Sequence, residues 1–107
     1  DHRVTSRAVS VACRPQPGST VKRLLFFEVA SSTEWQTDGH VFAPNLFVSL
    51  SDEQINKKMD AICAYNNEMR EPPHARSRNN VVNLASYRGA SVGVEYAEAF
   101  MLIRWIA

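Results

Sequence analysis

The groups in this chain best suited to chemistry are three histidines, a Ser/Thr/Glu/Trp run and an arginine cluster. The histidines are His2, His40 and His74. A hydrolytic zinc site takes about three protein ligands and keeps one position open for water. No two of these histidines stand at a ligand spacing, and neither His-Glu-x-x-His nor Cys-x-x-Cys occurs. Spacing alone therefore assigns no metal. Ser31-Ser32-Thr33-Glu34-Trp35 collects hydroxyls, a carboxylate and an indole. Hydroxyls and carboxylates bond sugar hydroxyls, and an indole offers its face to a pyranose ring. The same run also reads as a polar loop packed by one tryptophan. Arg70, His74, Arg76 and Arg78 stand close together with Glu68 and Glu71 balancing them. That cluster is either a solvated connection or a weak phosphate patch, and it lacks the interleaved aromatics of a nucleic-acid surface.

These groups need elements to carry them. Val4, Ala8, Val11 and Ala12 recur at helical spacing over residues 3–13, with Asp1 a good N-cap type and Pro15, Pro17 and Gly18 ending the segment. Val21–Val29 reads as a strand. Its contiguous Leu24, Leu25, Phe26 and Phe27 predict burial on both faces. A long loop follows over 30–44, then a short strand over Asn45–Leu50. Ser51 and Gln54 form a capping box for a helix carrying Ile55, Met59, Ile62 and Met69, which Pro72-Pro73 should stop. Ser77 is placed to cap a second helix with Val81, Leu84 and Ala85, closed by Gly89. The apolar run Ala99–Ile106 reads as a terminal strand, with a helix left open at that length. Strands flanked by helices predict an α/β sheet covered by helices.

Composition narrows the class. At 107 residues there is room for one small domain. Hydrophobic residues make up 45% and charged residues 21%, as in a folded globular chain. A net charge of +1 recommends neither nucleic acid nor an anionic membrane as a partner. No apolar run is long enough to span a bilayer. Cys13 and Cys63 either pair or stay reduced; free thiols in a cytoplasmic protein fit better.

Several ordered segments resemble one family. They are Asp1-His2-Arg3, Ala12-Cys13-Arg14-Pro15, Glu28-Val29-Ala30-Ser31-Ser32-Thr33-Glu34-Trp35, His74-Ala75-Arg76-Ser77, Tyr87-Arg88-Gly89 and Tyr96-Ala97-Glu98-Ala99-Phe100. Together they resemble the carboxyl-terminal part of the PIG-L/LmbE-like zinc-dependent N-deacetylases. The family's opening Ala-His-Pro-Asp-Asp-Glu-type motif does not occur here. Cys13 replaces a usual Thr, Ala75 a usual Pro, and Met101 a frequent Glu.

The resemblance implies a Rossmann-like LmbE-type fold, of which residues 1–107 form a single partial domain with helices on a short, mostly parallel sheet. It implies removal of the N-acetyl group from an N-acetylglucosamine-type sugar or glycoconjugate. His2 becomes the last zinc ligand. Ser31, Ser32, Thr33, Glu34, Trp35 and Arg76 become substrate contacts, and His74 a catalytic group that orients substrate or stabilises an oxyanion. Tyr96 and Glu98 would tie the last strand to the loop. The remaining ligands and the base would come from a missing amino-terminal half, so this chain alone is expected to be inactive. The alternative is a non-catalytic remnant or oligomerisation module, since strands without flanking partners invite self-association.

Overall fold

Local signals account for most element boundaries. A computed structural model describes residues 2–107 and orders them as α1 (His2–Ala12), β1 (Arg23–Phe27), β2 (Leu46–Leu50), α2 (Asp52–Cys63), α3 (Arg78–Ala90) and β3 (Tyr96–Trp105). The expected cap at Asp1 lies outside the described residues. Ser51 caps α2 through a complete capping box: Gln54 N–H donates to its hydroxyl and its own N–H donates to the Gln54 side chain. Ser77 caps α3, accepting from Asn80 N–H at 3.2 Å.

The sheet has the order β1-β3-β2, and both pairings are antiparallel. This corrects the expected mostly parallel sheet. An apolar run identifies a strand but not its direction, which the connections decide. Here β3, the last strand, enters between β1 and β2. The expectation that Leu24–Phe27 is buried on both faces fails for the same reason. β1 is an edge strand, Leu24 to Phe26 are half-buried, and Phe27 is 65% exposed. A bulge between Leu24 and Leu25 faces a register step from Arg104 to Leu102.

α2 and α3 pack on each other and on the β2–β3 half of the sheet. The core is small: Ile55 and Met59 from α2, Ala85 from α3, and Ala97 and Ala99 from β3. Alanines in alternation let the α3 backbone come close to the central strand. Lys58 donates to Glu98 at 2.7 Å, tying α2 to β3. Glu98 thus braces a helix instead of the loop to which the sequence assigned it.

Two further boundaries differ from expectation. α2 ends at Cys63, well before Pro72, so Met69 lies outside it. Tyr65-Asn66-Asn67 departs into a turn closed by Glu68 N–H donating to Tyr65 O at 2.9 Å, because asparagine competes for backbone hydrogen bonds. Gly89 lies within the last turn of α3, not beyond it, and Gly93 takes the left-handed conformation that reverses the chain into β3. α1 buries none of its residues. It is tethered by an Arg3–Asp38 ion pair of 3.2 Å and by the Arg104 guanidinium donating to Cys13 O. Cys13 and Cys63 are both free thiols. Among the described residues no helix is long and apolar enough to cross a membrane.

Candidate functional site

The loop after β1 begins with a turn made largely by its own side chains. Ser32 and Thr33 N–H donate to Val29 O at 3.0 and 2.9 Å, while Val29 N–H donates to the Thr33 hydroxyl at 2.7 Å. Ser31 sits in the left-handed region at φ 63°, and its N–H donates to the Glu34 carboxylate. Thr33 and Glu34 therefore build the loop as well as lining it. The turn projects Trp35 outward with 57% of its surface exposed.

Trp35 meets His74. Their ring centroids lie 5.6 Å apart at an interplanar angle of 79°, an edge-to-face contact. His74 comes from the connection between α2 and α3, and local bonds fix its ring. Arg76 N–H donates to Nδ1 at 3.0 Å. Nδ1 is therefore unprotonated, and the neutral ring carries its proton on Nε2. The loop is also held by Asn80 Nδ2 donating to Ala75 O at 2.8 Å. The Arg76 guanidinium pairs with Glu68, while its Nε is buried without a partner among the described residues.

His2 is exposed on the first turn of α1. The ion pair of its neighbour Arg3 with Asp38 brings the start of α1 to the Trp35 loop. The Asp38 carboxyl is held below its ordinary range chiefly by the N–H of His40, with burial opposing and the Arg3 charge assisting. Among the described residues no three His, Cys, Asp or Glu side chains converge as a metal site. His2 is one imidazole, which does not by itself fit the needs of a zinc ion.

The sequence reading missed what stands behind this rim. Glu28 and Arg88 form a two-pronged ion pair, with Arg88 Nε donating to Oε2 at 3.1 Å and Nη2 to Oε1. Their side chains are 17% and 18% exposed. The Glu28 hydrogen bond is the main cause that raises the Arg88 pKa. Both residues stand in the segments quoted above, but no spacing rule pairs positions 60 apart. They border a cavity of about 260 Å3 between the helices and the sheet, also lined by Phe27, Lys58, Ala75 and Phe100. A wider, more open recess of about 470 Å3 at the turn after α1 shares no lining residue with it and holds none of the predicted site residues.

The structure thus joins Trp35 to His74 and sets Arg76 beside them. Chemically, the rim presents an exposed indole edge-on to an imidazole, with the Thr33 hydroxyl engaged in the turn that carries the indole. No family model, no curated protein and no solved structure matches the chain.

Proposed function

We propose that this chain is the carboxyl-terminal part of a zinc-dependent N-deacetylase of the PIG-L/LmbE-like kind, acting on an N-acetylglucosamine-type sugar or glycoconjugate. The observation that carries the reading is the contact between Trp35 and His74. Two segments that the resemblance assigns to one pocket, from different parts of the chain, touch through their key side chains.

In this reading Trp35 stacks on the sugar ring with its exposed face. The Thr33 hydroxyl, already accepting from Val29, donates its own proton to a sugar hydroxyl. Ser31, Ser32 and Glu34 line the same turn. His74, held by the Arg76 N–H at Nδ1, donates Nε2–H toward the acetamide oxygen as negative charge develops there. Arg76 anchors that imidazole through its backbone. A zinc ion, if held there, would contribute Lewis-acid activation of the attacking water. His2 would be one of its ligands, and the others, with the base, belong to an amino-terminal half carrying the Ala-His-Pro-Asp-Asp-Glu motif. That half would complete the Rossmann-like fold by adding strands at the open β1 or β2 edge, in a cytoplasmic enzyme.

The test is to combine this chain with such an amino-terminal segment and measure zinc uptake and acetate release from N-acetylglucosaminyl substrates. Activity that His2→Ala abolishes supports the reading. Acetate release undiminished in His2→Ala removes that histidine, and no release with any acceptor class defeats the assignment.

One observation favours a non-catalytic association module instead. Among the described residues no strand pairs with the outer edges of β1 and β2, and Phe27 on edge strand β1 is 65% exposed. A concentration-dependent dimer in sedimentation, with no zinc uptake in the combined sample, would select it.

A further inference from the structure

The Trp35 loop leaves the sheet at Glu28 and returns at β2, and its two ends meet one side chain. At the first end, Arg88 bonds Glu28 with both prongs, through Nε at 3.1 Å and through Nη2. At the other end, the Arg88 guanidinium carbon lies 5.8 Å from the centre of the half-buried Phe42 ring. Arg88 itself stands on α3, one residue before Gly89, whose backbone is packed against the chain entering β3. The anchor therefore stands on a helix packed against the sheet, while the loop it holds has neither helix nor strand between Glu28 and Asn45.

We infer that Arg88 is the positioning residue of the candidate site: it clamps both ends of the 28–45 loop onto α3 and thereby holds Trp35 against His74. The physical case rests on the number of independent fasteners. At its first end the loop has Glu28. At its second end it has Phe42, with Ala43 N–H donating to Met101 Sδ at 3.4 Å and Asn45 bonded to β3 on both its backbone and its side chain. A bidentate guanidinium–carboxylate pair fixes direction as well as distance, which a lysine cannot do. With both ends fixed on one rigid helix, the turn at residues 29–34 has a single exit direction, toward the connection that carries His74. His74 is seated independently by Arg76, so the contact depends on the loop coming to it.

The inference shares with the deacetylase reading only the working importance of the Trp35–His74 rim. Its test involves neither zinc nor acetyl transfer, so the two fail separately. In Arg88→Gln, circular dichroism checks the fold, nuclear Overhauser contacts between the Trp35 and His74 rings report the rim, and amide exchange reports the loop. The expected result is loss of the ring–ring contact and at least about tenfold faster exchange at Val29, Ser32 and Thr33, with the amide of the buried Met59 in α2 unchanged. Arg88→Lys keeps the charge and should lose most of the same contact. Phe42→Ala leaves the ion pair intact and covers the case in which Arg88→Gln does not fold; it should speed exchange at Ala43 and weaken the ring–ring contact. A folded Arg88→Gln, or a Phe42→Ala, with parental ring contacts and loop exchange overturns the inference.

Discussion

Replacing Gly89 by alanine should destabilise the fold, although a helix interior ordinarily favours the change. Alanine is preferred over glycine by about 1 kcal/mol in a helix. At this position an added Cβ would stand 2.6 Å from Val94 O, 2.7 Å from Glu95 O and 2.8 Å from Glu95 C. Ordinary contact begins at 3.4 Å, so the crossing backbone must withdraw by about 0.8 Å, the difference between 3.4 and 2.6 Å. That backbone has little freedom. Val94 N–H donates to Gly89 O at 3.0 Å, Gly93 sits in a left-handed turn, and β3 begins at Tyr96. Overpacking of this kind costs about 1–3 kcal/mol, and a rigid neighbour puts the cost near the upper end. After the helix preference is subtracted, the net loss is about 1–2 kcal/mol. Urea unfolding followed at 222 nm measures it directly, and the melting temperature should fall by roughly 4–8 °C for each kcal/mol. A Gly89→Ala protein as stable as the parent, or more so, would refute the close approach of α3 to the start of β3.

Other expectations follow from the polar contacts. Glu28→Gln leaves Arg88 poorly paired where both side chains are under a fifth exposed, and should cost about 2–3 kcal/mol in urea unfolding. Lys58→Ala, at a pair 31% and 39% exposed, should cost less than about 1 kcal/mol; a larger cost than that of Glu28→Gln would reverse the ranking. Ser77 is 2% exposed and its hydroxyl accepts from Asn80 N–H, so Ser77→Ala should lose about 1–2 kcal/mol, and an unchanged denaturation midpoint would deny the cap its role. The Asp38 carboxyl has a folded pKa below its ordinary 3.8. Its contribution is complete above that value and fades as pH falls through the lower one. The His40 amide resonance should titrate with a midpoint under 3.8 and lose that titration in Asp38→Asn; a midpoint at or above 3.8 contradicts the shift.

What could be read of the site in advance was the identity of its parts. Trp35 and His74 both stand out in the sequence, one as an aromatic face after a strand and one as an imidazole between helices. Their contact could not be derived, because the distance between residues 35 and 74 in space depends on how α2 and α3 lie on the sheet. Arg88 shows the same limit. Its place in the Tyr87-Arg88-Gly89 segment names no partner, and only the approach of β1's end makes it the partner of Glu28. Thr33 and Glu34 have the chemistry of ligand contacts, and each also accepts a hydrogen bond from the loop's own backbone.

The chain's own letters determined what is local: the first helix, the Ser51–Gln54 box, the Ser77 cap and the first two strands. Each rests on bonds within a few residues or on the repeat of apolar side chains, so no distant partner is needed to specify it. Strand direction and order, the early end of α2, the placing of Gly89 inside α3 and the meeting of Glu28 with Arg88 were decided by tertiary structure. Each of these depends on which distant backbone arrives alongside. Local periodicity carries no information about that arrival, because the same apolar run serves an edge strand or a central one, paired in either direction.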